Sequence, residues 1–233
     1  MNNSYTLTIG GIPVEIQRKN IKNLHLYVLP PDGRVRISVP LRLSEKSIAE
    51  FIGSRLGWIR IQQAKLAERP HPPVPTYVSG ETLFLFGSPY TLYVEYGSGK
   101  RTVIRDGGNV ILTVRENSTA EKREAVVNEW YRSLLKERVG ILLPEWEAVT
   151  GLYCDSWQIK NMKTRWGTCN TQTRKIWLNL QLAKKPAGCL DYVILHELAH
   201  LKVPNHGKAF EALLDRYMPD WRDRRKILND LII

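Results

Sequence analysis

The chain has 233 residues, of which 43% are hydrophobic and 24% charged, so its composition is that of a soluble globular protein and argues against a disordered chain. The net charge of +11 indicates either an anionic partner, such as nucleic acid or a nucleotide, or a surface that serves only solubility. No signal peptide and no membrane-spanning apolar run is recognisable, and the 3 cysteines show no C-x-x-C spacing, so we expect a cytoplasmic protein without membrane contact or a disulfide framework.

The first part of the chain is predicted to be rich in β structure. Residues 5–16 alternate apolar and polar side chains and predict a hairpin. Residues 24–39 repeat this pattern around a turn at residues 30–33, so we expect a small antiparallel sheet. Ser44 is a candidate N-cap for one helix, whose apolar positions recur at helical spacing to about Glu68.

A second β segment is predicted after a proline-dense connector. The prolines of residues 70–75 favour an extended, stiff segment. Three apolar runs between residues 83 and 114 are separated by glycine-containing turns and predict a meander of short strands. Ser118 with Glu121 three residues later predicts a capping box, and the long helix that it opens is expected to kink or end at Pro144.

Residues 157–180 are predicted to form a β-hairpin that borders the functional cleft. The two strands are residues 157–159 and residues 175–180, and their edge is available for pairing with an extended substrate. Between these strands lies a Trp-Gly-Thr-Cys run, which is preceded by the positively charged residues Lys160, Lys163 and Arg165.

The stretch from His196 to His206 carries the strongest chemical signal. His196 and His200 are four residues apart, so on a helix they offer two imidazole nitrogens to one metal ion. Glu197 lies next to the first ligand and can reach a water in an open coordination position, as a general base does. His206 follows a proline-containing turn that can return it as a third ligand. Three nitrogens and a water are typical of a catalytic zinc site.

The surroundings of this motif favour a metal site over a chance match. The flanking residues are apolar nearly all round, so the helix should be buried. Buried histidines and a buried glutamate need partners, because unpaired polar groups in the interior cost several kcal/mol. The chain has only 5 histidines, and this window holds His196, His200 and His206. The pattern therefore predicts one bound ion, most simply Zn2+, with other divalent metals as alternatives.

From Trp157 to the C-terminus the chain resembles the YgjP-like metallopeptidases, relatives of the WLM and SprT-like zinc proteases. The matching elements are Lys163 to Cys169, Trp177 to Leu180, Asp191 to Leu195 leading into the zinc motif, Asn205-His206, and Pro219-Asp220-Trp221. The resemblance implies a zincin-like catalytic domain with His196, His200 and His206 as metal ligands and Glu197 as base.

The chain departs from related patterns at several positions. Thr168 stands where the family usually has serine, which is a conservative change. Glu211 stands where tryptophan is common, so the resemblance does not define the cleft wall near His206. The histidine spacing also equals that of metzincins, but these require glycine where this chain has Val203. Met218 is therefore expected to be a core methionine and not a metzincin methionine turn.

Together these patterns predict an α+β protein. Residues 1–117 form an antiparallel β-rich module with one intervening helix, and residues 118–233 form a zincin-like helical metallohydrolase domain with a small hairpin. The predicted function is metal-dependent hydrolysis, with proteolysis favoured. Glu197 acts as base and Arg165 as the group that holds a developing anion. Lys163 and Trp166 are predicted to contact the substrate.

Three alternatives stay open on the sequence alone. Lys160, Lys163 and Arg165 would suit hydrolysis of a phosphoanhydride, as in a nucleoside triphosphate pyrophosphatase, although no P-loop is present. A nucleic-acid-associated protein with a structural zinc would explain the charge but leave Glu197 without a role. Arg165 would be merely structural if it paired with an acidic residue such as Asp191. The oligomeric state is unknown.

Overall fold

The computed structural model describes residues 4–29, 32–68 and 75–230. The chain forms two compact units, residues 1–73 and residues 74–233. The boundary between the units follows residue 73, whereas the predicted boundary follows residue 117. The assignment of residues 118–233 as the functional domain stays a prediction. Most of the predicted connector at 70–75 and half of the predicted turn at 30–33 lie outside the described residues.

The first unit contains one mixed sheet and two helices. Its strands are β1 (Ser4–Ile9), β2 (Ile12–Lys19), β3 (His25–Leu29) and β4 (Arg34–Pro40), and its helices are α1 (Glu45–Gly53) and α2 (Leu56–Ala67). The strand order is β1-β2-β4-β3, and β2 runs parallel to β4. The prediction of a purely antiparallel sheet is therefore wrong. Both hairpins form as expected, but the central strands pair in parallel because this buries Val14 and Ile16 beside Val35 and Ile37.

The single helix predicted for this unit is divided in two. Ser44 is confirmed as the N-cap, since its side chain accepts a hydrogen bond from the backbone N–H of Ser47. Helix α1 ends at Gly53, and α2 begins at Leu56. Ile52 before the break and Ile59 after it are both buried. Because the helical spacing of apolar residues continues across the break, the sequence pattern predicts one helix.

The second unit begins with another four-stranded sheet. Its strands are β5 (Thr82–Leu85), β6 (Ser88–Tyr96), β7 (Thr102–Asp106) and β8 (Asn109–Val114). The order is β5-β6-β8-β7, with β6 parallel to β8, so the predicted simple meander is wrong. Strand β7 was absent from the prediction because its outer half, including Ile104, is exposed and lacks a clear buried alternation.

The two sheets repeat one topology. Each sheet consists of two consecutive hairpins. The last strand of the second hairpin pairs in parallel with the last strand of the first, as β4 does with β2 and β8 with β6. The turns also correspond, because their residues have positive φ angles at matching places. In the first hairpin of each sheet these are Gly10-Gly11 and Phe86-Gly87, and in the second hairpin they are Gly33 and Gly107. A capped helix follows each sheet, so the chain contains a repeated ββββα motif.

A long helix, α3 (Ala120–Thr150), follows the second sheet. Its N-cap is Thr119, one residue after the predicted Ser118, and the Thr119 side chain accepts from the Lys122 backbone N–H. The helix does not end at Pro144. Leu142 and Leu143 just before it are buried, and Trp146 just after it packs on the same core, so tertiary packing offsets the lost hydrogen bond.

The C-terminal part supplies the remaining elements. They are β9 (Ser156–Lys160), β10 (Gly167–Asn170), β11 (Lys175–Asn179), a 3-10 turn (Leu180–Lys184), α4 (Ala187–Ala199), α5 (Lys208–Tyr217) and α6 (Trp221–Asp230). The sheet order is β10-β11-β9. The hairpin joins β10 to β11, whereas β9 lies parallel to β11. The prediction that residues 157–159 and 175–180 form the two arms of a hairpin is therefore wrong, because β10 is the strand that precedes the turn.

Helix α4 is held in place from two sides. The backbone N–H groups of Phe86 and Gly87 donate to the carbonyls of Ala183 and Lys184, just before α4 begins. On the other side Trp146 Nε1 donates to Asp191 Oδ1 across 3.2 Å. The second sheet and α3 thus fix the entry and the first turns of the helix that carries the histidines. No helix in the described ranges is long and apolar enough to cross a membrane.

Candidate metal centre

Helix α4 is apolar on nearly all sides, and most of its side chains are buried. His196 lies in its last turn, and His200 is its C-cap residue with helical φ and ψ. The chain then turns through residues 201–207, and His206 stands just before α5. The structure thus brings the three predicted histidines to the C-terminal end of one buried helix.

The three imidazoles converge on one point. One nitrogen of each histidine lies within 4.8 Å of the others. Nε2 of His196 and Nε2 of His206 are 3.0 Å apart. Phe210 of α5 contacts all three rings, with ring centroids 4.9 Å from His196, 4.8 Å from His200 and 4.9 Å from His206. A single aromatic side chain thus packs against the whole triad.

The Nδ1 atoms of His196 and His200 also have partners. Nδ1 of His200 lies 3.3 Å from the Val203 carbonyl, and Nδ1 of His196 lies 3.4 Å from the Tyr192 hydroxyl. A histidine that donates through Nδ1 presents an unprotonated Nε2 to a metal. Burial lowers the pKa of His196 to about 3, and the nearby His200 and His206 add to this shift. Burial lowers the pKa of His200 as well, so His196 and His200 are held in the neutral form that coordinates metals.

This donor set fits a divalent metal ion of borderline softness. Neutral imidazole nitrogens are ligands for zinc and for several first-row transition metals, and three of them leave a coordination position open. His196, His200 and His206 are thus able to hold one ion.

Glu197 is buried directly beside this cluster. Its side chain is 4% exposed, and its Oε2 atom makes no hydrogen bond to any described part of the chain. Burial raises the pKa of Glu197 to about 8, while the charge of Arg165 acts in the opposite direction. A buried carboxyl oxygen without a partner is unusual in a folded protein and indicates a role beyond packing. A cation bound at the histidines would favour its ionised form.

Gly167 of β10 covers the Glu197 carboxyl. A Cβ atom built on Gly167 would lie 2.5 Å from Oε1 of Glu197 and 2.8 Å from its Cγ. The φ angle of Gly167 is not positive, so the requirement for glycine here is purely steric. In the sequence, Gly167 is recognisable only as part of the Trp-Gly-Thr-Cys run. Its function is to let β10 approach α4 closely enough to enclose the carboxyl.

A cleft of about 730 Å³ opens above the histidines and Glu197. Helix α4 forms its floor, β10 one wall, and α6 part of the opposite wall. Strand β10 is an edge strand. The backbone N–H of Asn179 donates to the Trp166 carbonyl. In an antiparallel pair every second residue directs its N–H and C=O toward the partner strand, so Gly167 and Cys169 direct theirs away from β11. Within the described ranges these backbone groups of Gly167 and Cys169 have no hydrogen-bond partner, and both residues line the cleft.

The predicted substrate-contact residues are only partly brought together. Arg165 and Trp166 line the cleft, whereas Lys163 and Lys160 are exposed and do not. Trp166 Nε1 donates to Asn229 Oδ1 of α6 across 3.2 Å, so this side chain joins two cleft walls. Lys160 instead lies over the ring of Trp177, with Nζ 4.9 Å from the centroid.

Arg165 does not pair with Asp191. Asp191 accepts a hydrogen bond from Trp146, and no acidic group in the described ranges forms an ion pair with Arg165. The alternative in which such a pair merely anchors the strand is therefore wrong. The guanidinium is exposed at the cleft and close enough to Glu197 to lower its pKa.

Asn179 fixes the loop that presents Arg165. It is 4% exposed, and its Nδ2 donates to the carbonyls of Met162 and Arg165 across 2.9 Å and 2.7 Å. Its Oδ1 accepts from the backbone N–H groups of Met162 and Gln181. The strand pattern of residues 175–180 does not by itself predict this role of Asn179, although an asparagine at the end of an apolar strand is a recognisable signal.

The acidic residues near His206 are already engaged. Arg222 pairs with Asp215 and with Glu211, so neither carboxylate competes freely for a metal. Met218 is buried in the core cluster, as expected of an ordinary packing residue. The three cysteines are free thiols, and Cys169 lines the cleft. Burial raises the pKa of Cys169 to about 11, so it is a neutral thiol.

The family model described as "YgjP-like, metallopeptidase domain" matches residues 22–231. The chain therefore belongs to the YgjP-like metallopeptidase family. Family membership and the histidine triad together imply a bound metal ion and a metal-dependent hydrolase. No curated protein matches the chain significantly.

Two solved structures of archaeal metallopeptidase zymogens are similar to part of the chain. Abylysin of Pyrococcus abyssi has 21% identity and a TM-score of 0.37, and the match covers 40% of this chain and 94% of that one. Jannalysin of Methanocaldococcus jannaschii has 28% identity and a TM-score of 0.36, with 40% of this chain and 97% of that one covered.

Replacing any one of the three histidines by alanine should remove most of the bound metal, because two protein ligands do not hold zinc firmly. Elemental analysis of the purified variants measures this, and His25→Ala in the first unit is the matched control that keeps its metal. Full stoichiometry in the His206→Ala variant would contradict the triad and would point to Glu211 or Asp215 as the third ligand.

Gly167→Ala should destabilise the protein by about 1–3 kcal/mol, since the added methyl group meets the buried Glu197 carboxyl and overpacks this contact. Urea unfolding measures the change. Gly140→Ala is the control, because a methyl group there meets nothing within 4 Å and replaces glycine inside a helix. Equal stability of Gly167→Ala and the unaltered protein would show that β10 does not enclose Glu197 this closely.

Proposed function

We propose that this protein is a zinc-dependent metallopeptidase in which His196, His200 and His206 hold the ion and Glu197 is the general base. The observation that carries the proposal is the buried Oε2 atom of Glu197, which lacks a hydrogen-bond partner beside the three converging imidazoles. When bound, zinc supplies Lewis acidity that polarises the scissile carbonyl and lowers the pKa of a water molecule.

The protein's own groups would perform the remaining steps. Glu197 Oε2 accepts a proton from the attacking water and passes it to the leaving amine. Arg165, which is charged at any working pH, stabilises the oxyanion that develops on the carbonyl oxygen. The free edge of β10 pairs with an extended polypeptide and aligns it along the cleft.

Peptide hydrolysis is better supported than the two alternatives. A phosphoanhydride substrate was motivated by Lys160, Lys163 and Arg165, but only Arg165 lines the cleft. A nucleic-acid-associated protein with a structural zinc would leave the buried Glu197 and an open coordination position without a role. Association with nucleic acid rests on the net charge of +11 alone and would appear as binding that weakens steeply with added salt.

Glu197→Gln should retain the metal and lose hydrolysis by several orders of magnitude, because an amide accepts no proton from water. The measurement is a screen of the zinc-loaded protein against unfolded polypeptides and nucleoside triphosphates, with the variant run in parallel. Hydrolysis of polypeptides alone supports the proposal, whereas hydrolysis of nucleotides alone, or activity that survives in Glu197→Gln, contradicts it.

Arg165→Ala should lower kcat by about 10²–10³-fold with little loss of zinc, as is typical when one preorganised donor is removed. Kinetics, zinc content and melting temperature are measured on the same preparation. Lys160→Ala is the matched control, since Lys160 is a cation of the same segment that does not line the cleft. A destabilised Arg165→Ala protein with normal turnover per folded molecule would show that Arg165 is only structural.

A further inference from the structure

Arg225 differs from the other arginines of helix α6. Arg222 is paired with Asp215 and Glu211, and Arg224 is paired with Asp220. No carboxylate in the described ranges forms an ion pair with Arg225, and no hydrogen bond from its guanidinium is present there. Its side chain is exposed and lines the cleft.

The charge of Arg225 acts on the metal-binding end of the cleft. Burial raises the pKa of Tyr192, and the charge of Arg225 opposes this shift. Burial and the neighbouring histidines lower the pKa of His196, and the charge of Arg225 adds to that shift. Arg165 acts in the same way on Glu197 from the β10 side. Two arginines, one on each wall, thus face the space above the histidines.

No acidic side chain in the described part of the cleft forms an ion pair with Arg165 or Arg225. Only Glu197 and Glu211 contribute carboxylates to the described lining. Glu197 is buried beneath β10, and Glu211 lies 3.8 Å from Arg222. The cleft therefore has an excess of positive charge, to which a bound divalent cation would add.

The wall around Arg225 is fixed and largely apolar. Tyr192 and Trp221 are both buried and stack with their ring centroids 6.3 Å apart at an angle of 10°. Leu228, one turn after Arg225, is buried as well. Asn229 Nδ2 donates to the Arg225 carbonyl, and Asn229 Oδ1 accepts from Trp166, which ties this turn of α6 to the opposite wall. A charge beside such a surface is screened less than one in open solvent.

We propose that Arg225 is a specificity-determining residue that selects a peptide carboxylate in the cleft. A planar guanidinium without an internal partner suits bidentate binding of a carboxylate. An acidic side chain near the scissile bond and the free C-terminus of a peptide offer the same group. This inference rests on the proposed peptidase function and names the substrate class that the site prefers.

Binding measured on the zinc-loaded Glu197→Gln protein tests the inference without hydrolysis. The probes are fluorescent random peptide pools of equal length. The first has a fixed central Glu and an amidated C-terminus, the second a fixed Gln and an amidated C-terminus, and the third a fixed Gln and a free C-terminus. We expect one of the carboxylate-bearing pools to bind about ten-fold more tightly than the neutral pool, as for a charge-assisted hydrogen bond. The tighter of the two identifies the source of the carboxylate.

Two substitutions on the same background assign the preference to Arg225. Arg225→Gln should abolish it, and Arg225→Glu should reverse it toward a fourth, amidated pool with a fixed Lys. Lys226→Gln is the matched control, since it removes one positive charge from the neighbouring residue, which does not line the cleft. It should leave the preference unchanged. Melting temperatures confirm that all variants are folded.

The outcomes separate this inference from the proposed function. Equal binding of all pools, a preference that survives in Arg225→Gln, or no binding of any pool overturns the inference. If the wild-type protein hydrolyses peptides without an acidic preference, the peptidase function stands and the inference fails. If the preference depends on Arg225 but the wild-type protein hydrolyses no peptide, the inference stands as a binding specificity and the peptidase function fails.

Discussion

The site depends on the burial of a carboxyl group between a helix and a glycine. Helix α4 is packed on nearly all sides, and its end carries the histidines and Glu197. Because β10 has no side chain at Gly167, it approaches so closely that it covers the Glu197 carboxyl. Burying a polar group without partners is costly, so this arrangement persists only if the other contacts of α4 offset it. The turn at Phe86-Gly87, the indole of Trp146 and the ring of Phe210 provide such contacts.

The grouping of the three histidines could be predicted from their local spacing in the sequence. Positions four apart share a helix face, so His196 and His200 were candidates for one ion before any fold was known. His206 could be added because a proline-containing turn precedes it, and the structure brings all three together. The capping signal at Ser44 and most strand positions were also recognisable, since they depend on side chains close in sequence. Zinc itself and the role of Glu197 stay predictions, because no spacing identifies the ion or the reaction.

The features that escaped prediction depend on residues far apart in the chain. Alternating strands do not reveal their neighbours, so the parallel pairs β2–β4, β6–β8 and β9–β11 could not be distinguished from hairpins. The repeated ββββα motif is visible mainly in its turns and was not recognised. Arg165 and Arg225 are 60 residues apart, and only the packing of α6 near β10 brings both to the cleft. Lys163 has the same charge as Arg165 two residues away, but it does not line the cleft. The sequence does not show which of two such cations faces the cleft.

We infer that His196, His200 and His206 together hold one metal ion in an open site beside Glu197. Anomalous diffraction from crystals of the zinc-loaded protein tests this inference, because it locates the ion and its protein ligands independently of activity. We expect one anomalous peak bounded by nitrogens of His196, His200 and His206, with no fourth protein atom coordinated and the Glu197 carboxyl adjacent to the open side. A peak with a fourth protein ligand, such as the Cys169 thiolate or Glu197 itself, or a peak elsewhere in the chain, would contradict it.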